Sequence, residues 1–381
     1  MSGMRTALNA RILQAPRTGI GQYVAALAAA LAERADLDQD LFHGWGWDRR
    51  LPQAALPGYS RWTSAAKRIP GAYRIRRWLE QQRFDAGLRR RPVDLYHEPS
   101  LWPLEFDGPM VMTLHDLTHV HFPATQPRDR LAEIERLVGS GVERAQRILT
   151  DSAFVADEVR RHFGLAPERV VVAPLGHDPL RFHPRAEASL RLALQPLGLE
   201  AGKYLLCVGT LEPRKNLELA LQAHALLPEA LRARYPLVIA GMPGWRNQRL
   251  DAALARAVAS GHVRFMGYLG DEALANLFAG ARLLLFPSLY EGFGLPVLEA
   301  MACGVPVVLT RTSALPEVAG EAGTYVALGD AEGMSEAIAR LLEDHPQWQR
   351  LSALGIRRAE NFTWQRCADI TAATYRQAVR N

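Results

Sequence analysis

Short apolar runs alternate with amphipathic stretches along this chain, regularly enough to predict most of its elements. Residues 4–10 read as a strand, followed by a loop over 12–19 and an alanine-rich helix over 20–35. Residues 93–97 and 110–115 read as two short buried strands, the second delivering His115 and Asp116 at its carboxyl end. A helix over 128–145, a strand over 147–151, a helix capped at Ser152 and a strand over 169–173 continue the series. Strands joined by crossover helices imply a mainly parallel sheet covered on its faces, an α/β architecture.

Residues 174–202 break the pattern with Pro179, Pro184 and Pro196, and the linker is placed there. A second alternation then begins. Strands are expected at 204–209, 237–241, 263–266, 282–286 and 305–309, with helices at 216–227, 247–258, 271–279 and 294–302 between them. Helices at 331–343, 347–360 and 364–379 close the chain. The expected domains are therefore residues 1–185 and 200–360, followed by a terminal helix within 364–381.

Composition adds limits. At 381 residues the chain is long enough for two cores, and 48% hydrophobic with 22% charged residues suits a soluble globular protein. No apolar run approaches the roughly 18 residues a bilayer span needs. The opening MSGMRTALNARIL lacks the features of a secretory signal, so a cytoplasmic location is expected. Cys207, Cys303 and Cys367 are scattered among apolar neighbours without ligand spacing, which suggests buried reduced thiols. Charge is uneven. Residues 61–91 hold ten Lys or Arg against Glu80 and Asp85, a local +8 that leaves −3 for the rest of a chain whose total is +5. With Trp62, Tyr73, Trp78 and Phe84 interleaved, the segment fits an anionic membrane surface, peripheral on the cytoplasmic face. Nucleic acid fits less well, because no nucleic-acid-binding signature accompanies the basic run. A solvated arginine-rich helix face is the plain alternative.

Candidate chemistry gathers in residues 286–306, FPSLYEGFGLPVLEAMACGVP. A strand end runs into a glycine-broken loop with Glu291, and a helix opening near Gly294 carries Glu299. Helix amino termini at strand carboxyl ends favour anionic oxygens, and carboxylates accept hydrogen bonds from vicinal hydroxyls of a sugar or ribose. An ordinary capped helix with a surface Glu is the alternative. In the second domain's first βα loop, Arg214 and Lys215 precede a helix start. There two adjacent cations are unfavourable to the helix dipole but would suit a diphosphate. The loop Arg17-Thr18-Gly19-Ile20-Gly21 fits either a tight βα turn or N–H groups presented to a diphosphate. His115 is a candidate for the same region or a satisfied structural histidine. Neither His119-x-His121 nor Asp36-x-Asp38-x-Asp40 makes a convincing metal site, the latter read as acidic caps in a turn after a helix.

These stretches resemble the retaining nucleotide-sugar glycosyltransferases of family GT4. Glu291-x7-Glu299 within EGFGLPVLEAMACGVPVV is similar to that family's E-x7-E signature, and GTLEPRKN (209–216) to its phosphate-binding Arg/Lys pair. FMGYLGDEALANLF, LPEVAGEAG and RTGIGQY add to the likeness over nearly the whole chain. The resemblance implies the GT-B fold: two Rossmann-like domains facing a central cleft, with the terminal helix crossing back to the first. It implies Arg214 and Lys215 for the donor diphosphate, Glu299 for the ribose, and Glu291 with the backbone of Phe293, Gly294 and Leu295 for the transferred sugar. Tyr268 and Leu269 would lie beside the base. Gly19 and His115 would come from the amino-terminal domain, His115 near the donor sugar and acceptor hydroxyl. It further implies retention without a metal ion, with Glu291 positioning the sugar rather than forming an ester.

MTLHDLTHVHFP, TDSAFVADEV and VAPLGHDPLRF look most like bacterial mannosyltransferases that extend O-antigen, and their D-rhamnosyl relatives. That favours GDP-mannose or GDP-D-rhamnose as donor and a lipid-linked oligosaccharide as acceptor. The alternatives are a UDP- or dTDP-sugar transferase, a sugar-nucleotide epimerase, a phosphorylase and a non-enzymatic nucleotide-sugar-binding module. A nicotinamide oxidoreductase is disfavoured by the missing third glycine and ribose-binding acid.

Overall fold

A computed structural model describes residues 3–14, 19–51, 72–125, 128–242, 244 and 248–380. Arg17 and Thr18 of the glycine loop lie outside these residues, as do Arg61, Trp62, Lys67 and Arg68 of the basic segment. The chain divides into two compact units, one comprising Met1–His119, Gln126–Gly176 and Trp364–Asn381, the other Val120–Thr125 and His177–Thr363.

In the first unit, β1 (Met4–Asn9), α1 (Gly19–Ala32), β2 (Leu37–Phe42), β3 (Trp47–Asp48), α2 (Ala72–Arg90), β4 (Leu95–Glu98) and β5 (Met110–Leu114) follow in order. The short α3 (Thr118–His121), whose last two residues belong to the second unit, is followed by α4 (Arg128–Arg144), β6 (Arg147–Thr150), α5 (Ala153–Phe163) and β7 (Val170–Val172), which complete the first unit's sheet and its helices up to residue 176. Strand order is β3-β2-β1-β4-β5-β6-β7, with only the β2–β3 pair antiparallel. Strands β4 and β5 are buried throughout, as parallel strands covered on both faces must be.

The acidic triplet is corrected here. Asp38 and Asp40 lie within strand β2, not in a turn, where Asp40 pairs with Arg91 at 3.0 Å and Asp38 with Arg49. The basic segment is also sharpened. Phe84 is fully buried, stacked on Trp47 at 5.3 Å, so it belongs to the core. Arg76 is held by Glu80 at 2.8 Å and Arg77 donates to the Pro103 carbonyl at 2.6 Å. Among the α2 side chains whose burial is described, the exposed ones are Ile75, Trp78, Gln82, Arg83, Arg89 and Arg90.

The second unit contains α6 (Glu187–Leu194), which forms inside the proline-punctuated stretch because Leu190 and Leu194 give it a buried face. Then come β8 (Leu205–Val208), α7 (Leu217–Leu226), α8 (Glu229–Arg234), β9 (Leu237–Ala240), α9 (Gln248–Ala259) and β10 (Val263–Gly267). α10 (Asp271–Ala279), β11 (Leu283–Phe286), α11 (Leu295–Ala302), β12 (Val307–Thr310), α12 (Leu315–Ala319) and β13 (Gly323–Val326) follow, then α13 (Ala331–Glu343) and α14 (His345–Ala359). The sheet is wholly parallel in the order β10-β9-β8-β11-β12-β13. Its order reverses between β8 and β11, which opens a crevice at the carboxyl ends of those two strands.

The last helix, α15 (Trp364–Arg380), belongs to the first unit and packs on α1 and on β4, β5 and β6. Tyr375 is fully buried there, its hydroxyl 2.7 Å from His97 Nδ1, while His97 Nε2 lies 2.7 Å from Thr113 Oγ1. Burial, with the charge at His115 adding to it, pushes the His97 pKa down to about 3, so this linking histidine is neutral. No described helix is long and apolar enough to cross a membrane. The three cysteines are buried and unbridged.

Candidate active site

Strands β8 and β11 flank the reversal of the second sheet, and the loops that leave them carry the candidate charges. Gly209 directly follows β8, and Gly241, directly after β9, packs against it so closely that a Cβ on Gly241 would come 1.8 Å from the Gly209 carbonyl oxygen. The chain then makes a tight turn, Pro213–Lys215, whose proline fixes the first dihedral. β11 is LLLF, buried at every position, and its loop closes on Gly294, which caps α11 with φ 104°. A side chain at 294 would need that unfavourable φ and would press within 2.8 Å of Leu315.

These two loops bring three charged groups together. Glu291 is only 5% exposed. Its Oε1 accepts from Lys215 Nζ and from Ser288 Oγ, each at 2.6 Å, and its Oε2 accepts from Arg214 Nη1 at 3.0 Å. The same Arg214 nitrogen donates to the Tyr290 carbonyl, and the Arg214 carbonyl accepts from the Leu289 N–H at 2.7 Å. Burial alone would raise the Glu291 pKa, but Lys215 and Arg214 outweigh it and push it down to about 2. Burial and the Arg214 guanidinium draw Lys215 down from its ordinary value, against the pull of Glu291. The cluster thus keeps a permanent carboxylate between two cations.

Glu299 lies further along α11 and is buried at 4% exposure. Phe293 is buried edge-on to Phe362 at 5.7 Å, and Leu295 opens α11. Tyr268 and Leu269 follow β10, two strands away from β8 on the same carboxyl edge, with Tyr268 53% exposed. A broad exposed ring at that edge can stack on a planar base.

In the first unit, His115 follows β5. Its Nδ1 lies 2.7 Å from Asp151 Oδ2 and its Nε2 lies 3.1 Å from the Pro99 carbonyl. With an acceptor at each ring nitrogen, the arrangement is satisfied when both carry a proton. Burial opposes that charge, but Asp151 more than offsets it, and the His115 pKa is raised above its ordinary value. His115 in this state is a hydrogen-bond donor and a charge, not a vacant base. Gly19 starts α1, with open space where a Cβ would stand; one turn later Tyr23 lies edge-on to His115 at 4.6 Å.

Asp151, Ser288 and Ser313, whose Oγ accepts the Glu291 N–H at 2.9 Å, had no place in the candidate set. Asp151 was open to deduction, because β5 and β6 pair with Leu114 opposite Thr150, and the next residues on each strand are His115 and Asp151. Among the described residues no group of three or more His, Cys, Asp or Glu is gathered as a metal site.

Known proteins resemble this chain in sequence and in fold. Residues 17–181 match the family described as Glycosyltransferase Family 4, and residues 195–358 match Glycosyl transferases group 1. The chain is 35% identical to the O-antigen chain mannosyltransferase B of Escherichia coli over 95% of this chain and 96% of that one. It is 33% identical to an MMP alpha-(1->4)-mannosyltransferase of Mycolicibacterium hassiacum, covering 68% of this chain and 64% of that one. In fold it is similar to a sucrose-phosphate synthase from Thermosynechococcus elongatus, with TM-score 0.74, 23% identity and 98% of each chain covered. It is also similar to WaaG, a glycosyltransferase involved in lipopolysaccharide biosynthesis, with TM-score 0.71, 20% identity, and 98% of this chain and 99% of that one covered. Two parallel-sheet units, two family models and a relative aligned along nearly the whole length lead to one conclusion: the chain belongs to the family 4 glycosyltransferases, enzymes of the GT-B fold.

Proposed function

We propose that this glycosyltransferase moves mannose, or D-rhamnose, from a GDP-linked donor to a lipid-linked oligosaccharide in O-antigen synthesis, with retention of anomeric configuration. The observation that carries the transfer chemistry is the Glu291 cluster, with Lys215 and Arg214 bound to one buried carboxylate at the β8–β11 reversal. The choice of sugar and pathway is supported by the full-length likeness to an O-antigen mannosyltransferase and, over a shorter stretch, by 31% identity to the serotype-specific mannosyltransferase WbdA of Escherichia coli across 60% of this chain and 28% of that one.

In this reading the donor diphosphate draws Arg214 and Lys215 onto its oxygens, where two cations and the N–H groups opening α11 stabilise the departing charge. The bond from the sugar C1 to the diphosphate oxygen breaks as the acceptor oxygen bonds to C1 on the same face. The acceptor proton passes to the departing phosphate oxygen. Glu291 then holds sugar hydroxyls, Glu299 the ribose, and Tyr268 with Leu269 the base. The Phe293, Gly294 and Leu295 backbone lies along the sugar and phosphates. Gly19 and His115 are the first unit's proposed contribution to acceptor and sugar binding. The chemistry asks for no resident metal. The exposed face of α2, with Trp78 and Arg89, is proposed to rest on an anionic lipid surface that carries the acceptor.

The test is a panel of GDP-, UDP- and dTDP-sugars, each incubated with the full chain and a polyprenyl-diphosphate oligosaccharide. The product linkage is read by NMR. Transfer of mannose or D-rhamnose in the donor's own α configuration is expected. An inverted product, preference for a UDP- or dTDP-sugar, or epimerisation without an acceptor would each replace this reading.

A further inference from the structure

The backbone that carries Glu291 is held by more than the two cations. At the end of β12, Thr310 Oγ1 donates to the Ser288 carbonyl at 2.5 Å, and just beyond it Thr312 Oγ1 donates to the Leu289 carbonyl at 3.1 Å. The Glu291 N–H donates to Ser313 Oγ at 2.9 Å, and the Ala314 N–H faces the Glu291 carbonyl at 3.4 Å. Three hydroxyls within four positions are therefore spent on the backbone of one four-residue stretch, 288–291.

Ser313 does this from a strained conformation. Its φ is 47°, and the only other non-glycine residue with positive φ among the described residues is Asn216, directly after Lys215. Asparagine tolerates that region better than serine does. Glycine at 313 would adopt the backbone freely, yet it would offer the Glu291 N–H no acceptor. Strain that glycine would relieve, retained where the side chain holds a site carboxylate's own backbone, points to a role in the site.

That role follows from what a ligand removes. Two of the three side-chain partners of Glu291 named above are Lys215 and Arg214, the cations an anionic ligand would claim. Once they turn to the ligand, only Ser288 Oγ still holds the carboxylate, and the backbone clamp keeps the residue in place. We propose that Ser313, supported by Thr310 and Thr312, is the positioning residue that holds Glu291 when an anionic ligand occupies Arg214 and Lys215; the choice of ligand rests on the transferase reading above.

Crystals of the full chain and of Ser313→Gly, each soaked in inorganic pyrophosphate, test this directly. Expected is pyrophosphate on Arg214 and Lys215 in both, with Glu291 unmoved in the natural chain and displaced or disordered in the variant. In turnover with the preferred nucleotide sugar, Ser313→Gly should lose about tenfold or more in kcat while donor KM stays within about threefold, since misplacement alone costs rate. Its Tm should be unchanged or higher. Ser313→Ala keeps the strain without the hydroxyl, and should match the kcat loss with a lower Tm. Glu291 in the same place in liganded Ser313→Gly, or pyrophosphate that leaves Glu291 on its cations, would overturn the proposal. Absence of turnover with every nucleotide sugar would sink the transferase reading alone, and the soaked crystals would still decide the clamp.

Discussion

Glu291 and Lys215 are 76 positions apart in sequence and 2.6 Å apart in space, with Arg214 completing a buried charge cluster. Removing either cation leaves the carboxylate underpaired. Lys215→Ala should lower stability by roughly 1–3 kcal/mol in urea titration, because a buried charge without its partner costs more than the pair contributes. The same variant should lose the rise in Tm that pyrophosphate gives the natural chain by binding its native state.

The cluster also sets an acid limit. The Glu291 pKa is depressed to about 2 in the folded chain from its ordinary 4.5. Its contribution to stability is therefore complete above the ordinary value and is lost as pH falls through that interval towards about 2. Urea midpoints measured across this range should fall more steeply for the natural chain than for Glu291→Gln.

His115 behaves with the opposite sign. Its folded pKa is raised by Asp151, so the stability this adds is fully present below the ordinary value of 6.5 and disappears as pH rises through the folded pKa. In Asp151→Asn, burial is left as the larger influence. The His115 ring resonance should then titrate below 6.5, where the natural chain titrates above it. Equal titration in both would show that Asp151 does not set the charge.

Gly294→Ala should cost about 1–3 kcal/mol, measured by thermal unfolding, because a Cβ there must adopt a left-handed backbone. Activity should fall further than stability, since the same turn opens α11 beside Glu291.

Helix geometry places Ile75, Trp78 and Arg89 on one face of α2, as these positions differ by nearly whole turns at about 3.6 residues per turn. Trp78→Ala combined with Arg89→Glu should weaken flotation with vesicles of anionic lipid and leave Tm unchanged. Binding that survives both changes would remove the membrane role from this face.

Much of this was legible because parallel strands buried on both faces read as continuous apolar runs; LLLF before Glu291 and MVMTL before His115 could hardly be missed. β2 was missed for the opposite reason. Its sequence LDQDLF places two acids in a strand, and only the partners Arg49 and Arg91, supplied by tertiary structure, make that tolerable. α6 hid behind the prolines that flank it. In the site, residue type alone marked Arg214, Lys215 and Glu291 as charged groups near strand ends. That they bind one another depends on β8 and β11 being neighbours, and strand order is not written in any single segment. Ser313 carried no signal at all, since a serine with positive φ looks like any other serine until its backbone is seen.

The bond between Tyr375 and His97 has a consequence for biosynthesis. Residue 97 leaves the ribosome long before residue 375, and all of the second unit is made in between. Until residues 364–380 are made, the first sheet waits with His97 Nδ1 lacking its Tyr375 partner and with the apolar faces of α1 and β4–β6 lacking their cover. The nascent first unit is thus an unfinished body that exposes greasy surface for most of its synthesis. A fragment cut at residue 176 should precipitate unless a peptide spanning 364–380 is supplied in trans.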